Sequence, residues 1–73
     1  MMKLSARNIL KGKVKSIAKG AINTEVVIIL PNGTELVSVI TNVSAESMGL
    51  KKGKKAYAII KASNIILGVD CKC

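Results

Sequence analysis

The stretch Ala-Ile-Asn-Thr-Glu-Val-Val-Ile-Ile-Leu-Pro-Asn-Gly-Thr-Glu-Leu-Val-Ser-Val-Ile-Thr-Asn-Val, residues 21–43, reads as two strands joined by a tight turn. Pro31-Asn32-Gly33 is the strongest hairpin signal in the chain, because Pro presets φ, Asn bonds its own backbone and Gly tolerates positive φ. On its N-terminal side Ala21 to Leu30 is rich in β-branched residues. On its C-terminal side Thr34 to Val43 alternates, with Leu36, Ser38 and Ile40 on one face and Val37, Val39 and Thr41 on the other.

Working outward, Ile9 to Ile17 also has period two. Leu10, Gly12, Val14 and Ser16 share one face, while Lys11, Lys13 and Lys15 occupy the other. Gly12 inside this strand predicts a bend or bulge. Ala18-Lys19-Gly20 reads as a turn. Ser44-Ala45-Glu46-Ser47-Met48-Gly49 reads as one helical turn, capped by Ser44, with Glu46 near its positive end and Gly49 as its stop. After the lysine-rich turn at 51–55 come a fourth strand, Ala56 to Lys61, and a short fifth, Asn64 to Val69. Five short strands and one helical turn predict an all-β fold, a small Greek-key barrel of the oligonucleotide-binding (OB) type. Residues 1–73 then make one domain, with 70–73 a flexible tail.

Composition narrows the function. The chain has 73 residues, 12 Lys+Arg against 4 Asp+Glu, and no His, giving a net charge of +8. Without histidine, and with so few carboxylates, hydrolases of the triad, zinc or paired-carboxylate types are disfavoured; the expectation is a protein that is not an enzyme. The longest aliphatic run, Val26 to Leu30, is far short of the ~20 residues of a membrane-spanning helix. No leader pattern opens the chain, so a cytoplasmic setting is expected. Ten Ile and seven Val outnumber six Leu, and runs such as 26–30 and 65–67 need cover on both faces of a strand. One helical turn cannot provide that cover, so a homo-oligomer is expected. The only cysteines, Cys71 and Cys73, close almost no loop and give a small core little help.

The basic balance points to an anionic partner. Nucleic acid is disfavoured, because single-strand binding by such barrels uses stacking aromatics and this chain has only Tyr57. A membrane surface is disfavoured too, since no amphipathic helix is visible. A small oxyanion asks for donors and no carboxylate. Two segments qualify: Ser5-Ala6-Arg7-Asn8, holding the only guanidinium, and Lys61-Ala62-Ser63-Asn64.

Ser5-Ala6-Arg7-Asn8, followed by Leu10-Lys11-Gly12-Lys13-Val14, resembles the opening motif of the molbindins, the Mop-type molybdate-binding family. The resemblance continues through residues 19–26, 44–50 and 60–65 and covers roughly residues 4 to 68. It implies an OB-type barrel that assembles as a hexamer, a trimer of dimers, and holds molybdate or tungstate between subunits as an intracellular store. It places oxyanion contacts on Ser5, Arg7 and Asn8 of one subunit and on Lys61, the Ala62 backbone and Ser63 of another, with Asn23 and Ser38 as further positions. The chain departs from the family pattern at Ala62, often Ser or Thr, and at Asn64, often an acid. The alternatives are a basic nucleic-acid-binding barrel, or an oxyanion-sensing module acting with a partner protein.

Overall fold

The computed structural model describes residues 7–71. Four strands form one curled antiparallel sheet: β1 (Asn8–Lys19), β2 (Asn23–Ile29), β3 (Glu35–Thr41) and β4 (Lys55–Ile60). Their order in space is β3-β2-β1-β4, so three meandering strands are followed by a fourth that returns beside the first. That is a Greek key, and with the short helix α1 (Asn42–Ser47) it gives the expected OB-like class.

The hairpin forms as its residues dictate. Leu30 and Thr34 close a three-residue loop, Gly33 N–H bonds Leu30 O, and Asn32 Oδ1 accepts from Thr34 N–H. Gly33 takes φ 91°, the left-handed conformation that ends such a loop.

β1 is where the alternation read from sequence breaks. Gly12 and Val14 face the core, but the register with β2 slips between Val14 and Ser16. Val14 stands opposite Ile28, and Ile17, not Ser16, stands opposite the buried Val26. One extra residue flips the facing of everything after it. The bulge therefore lies at Lys15 and not at Gly12. Gly12 serves a different purpose, a close approach of β1 to β2. A Cβ there would sit 2.6 Å from Ile28 Cγ2 and 2.7 Å from the backbone oxygen of Ile29. Gly12→Ala is thus expected to destabilise by about 1–3 kcal/mol through overpacking, read as a lower urea midpoint at unchanged slope.

The helix begins three residues earlier than a Ser44 cap implies. Thr41, not Ser44, is the N-cap, and its hydroxyl oxygen accepts from Ser44 N–H. Glu46 accordingly lies toward the C-terminal end of α1, away from the positive end, and pairs with Lys19. Gly49 ends the helix as expected, with φ 63°. Gly49 N–H bonds Glu46 O and Leu50 N–H bonds Ala45 O, the double closure of a Schellman motif. This turn carries Leu50 onto the core.

The fifth strand does not form. Lys61 leads into a single 3₁₀ turn, Ala62–Asn64, and residues 65–71 pair with no strand. Ile66, Leu67 and Val69 are 94%, 89% and 96% exposed. The apolar run at 65–67 joins neither edge of the sheet, β3 or β4. Among the described residues the fully buried apolar set is Val14, Val26 and Ile28, with Leu30, Ile40, Leu50, Ala56 and Ala58 packed around it.

Candidate functional site

The pairing of β1 with β4 runs from Asn8 opposite Ile60 to Lys13 opposite Lys55. It brings the two donor-rich segments to one end of the sheet. Arg7 is exposed just before β1, Asn8 opens the strand, and Lys61, Ala62 and Ser63 follow the end of β4. Asn8 Nδ2 donates to Ile60 O at 3.3 Å, which pins the start of β1 to the end of β4 across 52 residues of sequence. The amide keeps its second N–H. Lys61 is extended (φ −62°, ψ 135°) and the chain then turns sharply, with Asn64 N–H on Lys61 O. Arg7, Lys61, Ala62 and Ser63 are all exposed.

The composition of this end suits an oxyanion. It presents a guanidinium, an ammonium, an amide, a hydroxyl and the leading N–H groups of the 3₁₀ turn. Glu35 and Glu46 are engaged elsewhere, by Lys15 and Lys19. Among the described residues there is no group of three His, Cys, Asp or Glu that could hold a metal ion. No helix among them is long and apolar enough to cross a membrane.

The other positions lie apart. Asn23 begins β2 opposite Thr41, at the far end of β1 from Asn8. The length of β1, eleven residue steps or up to about 35 Å of strand, lies between them. Ser38 is half-buried in the middle of β3, opposite Val26 and on the core side. Neither joins the Arg7–Lys61 cluster within one chain. Ser5 lies outside the described residues.

Sequence reasoning missed a polar clamp at the opposite end. Thr24, buried, donates its hydroxyl to Asn42 Oδ1, and Asn42 Nδ2 donates to the carbonyls of Gly20 (3.0 Å) and Ala21 (3.3 Å). Asn42 N–H also bonds Ile22 O at 2.8 Å. The first helical residue thereby fixes the β1–β2 turn. The signal was present in outline, as a short polar residue at the head of the helical segment.

Two concavities among the described residues lie elsewhere. A cleft of about 580 Å³ opens where β2 leaves β1, among Lys11, Gly12, Lys13, Ile29, Leu30 and Lys55. A second of about 350 Å³ lies against the clamp, beside Lys19, Thr24, Asn42 and Lys51. The Arg7–Lys61 end lines neither of them.

The TOBE domain family model matches residues 4–67. A probable molybdenum-pterin-binding protein of Haemophilus influenzae is 46% identical over 69 residues, spanning 94% of this chain and all of that protein. Among solved structures, a molybdate binding protein from Sporomusa ovata superposes with a TM-score of 0.88 at 38% identity, over 93% of this chain and all of that one. The cytoplasmic molybdate-binding protein ModG, solved with molybdate bound, superposes with a TM-score of 0.92 at 54% identity, over 94% of this chain and 49% of that one. The sequence match, the Greek-key order and the superpositions agree: the chain belongs to the TOBE domain family and, within it, to the Mop-type molbindins.

Proposed function

We propose that this protein binds molybdate, or the similar dianion tungstate, without catalysis, in sites shared between subunits of a homo-oligomer, and serves as a cytoplasmic store. The observation that carries the reading is the β1–β4 register. It sets Arg7 and Asn8 beside Lys61, Ala62 and Ser63 at one exposed, donor-rich end of the sheet. The names of the relatives and the bound molybdate in ModG support molybdate as the anion.

The mechanism is neutralisation plus directed donation. The charges of Arg7 and Lys61 balance a dianion. The planar guanidinium offers two parallel N–H groups to neighbouring oxygens, while Lys61 acts as a point charge. The Asn8 amide, the Ser63 hydroxyl and the Ala62 N–H meet the remaining oxygens, which only accept hydrogen bonds at neutral pH. Ser5 would complete the set from the lead-in.

Two features support assembly. Among the described residues, Arg7, Lys61, Ala62 and Ser63 are all exposed, so an anion held by them gains a second wall from a neighbouring subunit. In addition, the unpaired apolar segment 65–69 and the outward-facing Val37 and Val39 of edge strand β3 leave large apolar side chains exposed, the kind of surface a sister subunit would cover. A hexamer built as a trimer of dimers would cover both. It would also bring Asn23 and Ser38, distant within one chain, toward anions held by neighbouring copies.

Native mass spectrometry with molybdate, tungstate and sulfate tests the reading. Molybdate and tungstate adducts are expected on a six-subunit species, with sulfate leaving it empty. Adducts carried equally by the monomer, or equal uptake of sulfate, would overturn it.

A further inference from the structure

The outer face of the sheet carries a row of four residues that stand side by side across all four strands: Glu35, Ile29, Lys13 and Lys55. Lys13 and Lys55 are direct cross-strand partners, so their Cβ atoms stand about 4.5–5.5 Å apart. Lys11 lies two residues along β1 on the same face, a further ~7 Å, and faces Tyr57. Like charges directly opposite each other destabilise a sheet pair. The row's carboxylate does not relieve them, because Glu35 is already engaged by Lys15. Among the described residues no acid pairs with Lys11, Lys13 or Lys55.

These three lysines share one cavity, the cleft of about 580 Å³ at the divergence of β1 and β2. Its walls between the lysines are Gly12, Ile29, Leu30 and Pro31. The volume falls in the range of small-molecule sites, ~300–1,000 Å³. The chemistry differs from that of the Arg7–Lys61 end. There is no guanidinium, hydroxyl or amide to surround a compact tetrahedral anion, only three point charges spread along a groove with apolar sides. Such an arrangement matches an elongated anion whose charge is distributed over linked phosphoryl groups, and lysine suits phosphate as a point charge.

We infer that Lys11, Lys13 and Lys55 form a second anion site, separate from the oxyanion site, that takes a condensed phosphate of two or three phosphoryl groups. The anion replaces the missing carboxylate and relieves the Lys13–Lys55 repulsion. Inorganic polyphosphate and a nucleoside triphosphate both carry that group. The apolar walls and the Tyr57 ring beside Lys11 lie next to the lysines, where a nucleoside would extend.

Calorimetric titration of the intact protein with sodium tripolyphosphate and with ATP, each without divalent metal, tests this. Tripolyphosphate is expected to bind, with affinity falling as salt rises. Lys13→Gln and Lys55→Gln should each weaken it by about tenfold or more, as loss of a charged hydrogen bond implies. The double variant should retain molybdate binding and unfold at a higher temperature than the parent in the absence of ligand, since the repulsion is gone. Tighter binding of ATP than of tripolyphosphate would make the nucleoside part of the ligand; equal or weaker binding would point to the bare polyphosphate. No binding of either, binding unchanged in the double variant, or binding lost in Arg7→Ala instead would overturn the assignment. The oxyanion reading stands or falls separately, on molybdate binding in the Arg7 variant.

Discussion

Arg7→Ala is expected to weaken molybdate binding by about a hundredfold or more while leaving the sheet folded. The magnitude follows from removing a charge-assisted fork. Each hydrogen bond to a charged group contributes about 1.5–3 kcal/mol, and a guanidinium can offer two to one anion. The fold should be indifferent, because Arg7 is exposed and precedes β1. Arg7→Lys should recover part of the affinity by restoring charge without the planar fork. Titration calorimetry on both variants, beside circular dichroism, separates the two effects. Unchanged affinity in the alanine variant would remove Arg7 from the site.

Ile28→Ala is expected to cost about 2–5 kcal/mol of stability, the range for a buried isoleucine reduced to alanine. Ile28 is one of three fully buried apolar residues among those described, and it stands between Val14 on β1 and Leu36 on β3. Against a total stability of about 5–15 kcal/mol for a typical domain, this is a large fraction. Urea unfolding should show a lower midpoint, and saturating molybdate should restore part of it, since a ligand bound only by the folded form stabilises that form. A stability loss below about 1 kcal/mol would mean that the core is not centred on this residue.

Much of the sheet was legible because its signals are local. Alternation placed β1 to β4 within a few residues, and Pro31-Asn32-Gly33 and Gly49 set the hairpin and the helix stop through their own backbone preferences. The errors arose where local chemistry is degenerate. Thr41 and Ser44 are both capping residues three apart, and their hydroxyls bond each other, so composition could not choose between them. The bulge at Lys15 depends on which residue of β1 meets Val26, a fact of pairing and not of the strand itself. The Ile65-Ile66-Leu67 run has strand composition, but a strand also needs pairing, and after the 3₁₀ turn at 62–64 the run pairs with neither sheet edge, a fact of tertiary arrangement that composition does not carry. For the site, spacing alone could not join Arg7 and Asn8 to Lys61, more than fifty residues away. Composition marked both segments as donor-rich and acid-free, the resemblance to molbindins suggested their joint use, and the β1–β4 register set them side by side.

The division of labour along β1 has a temporal consequence. Residues 13–19 pair with β2, and residues 8–13 pair with β4, so Lys13 alone is common to both ladders. The first ladder closes a short hairpin; the second must close a loop of about fifty residues and bears the larger entropic cost. During synthesis the β1–β2–β3 meander can assemble as it emerges, but the corner with Arg7 and Lys61 does not exist until the last strand has been translated. A chain cut before β4 would therefore be a sheet without the proposed site, and ligand capture would report that the segment carrying Lys61 had arrived.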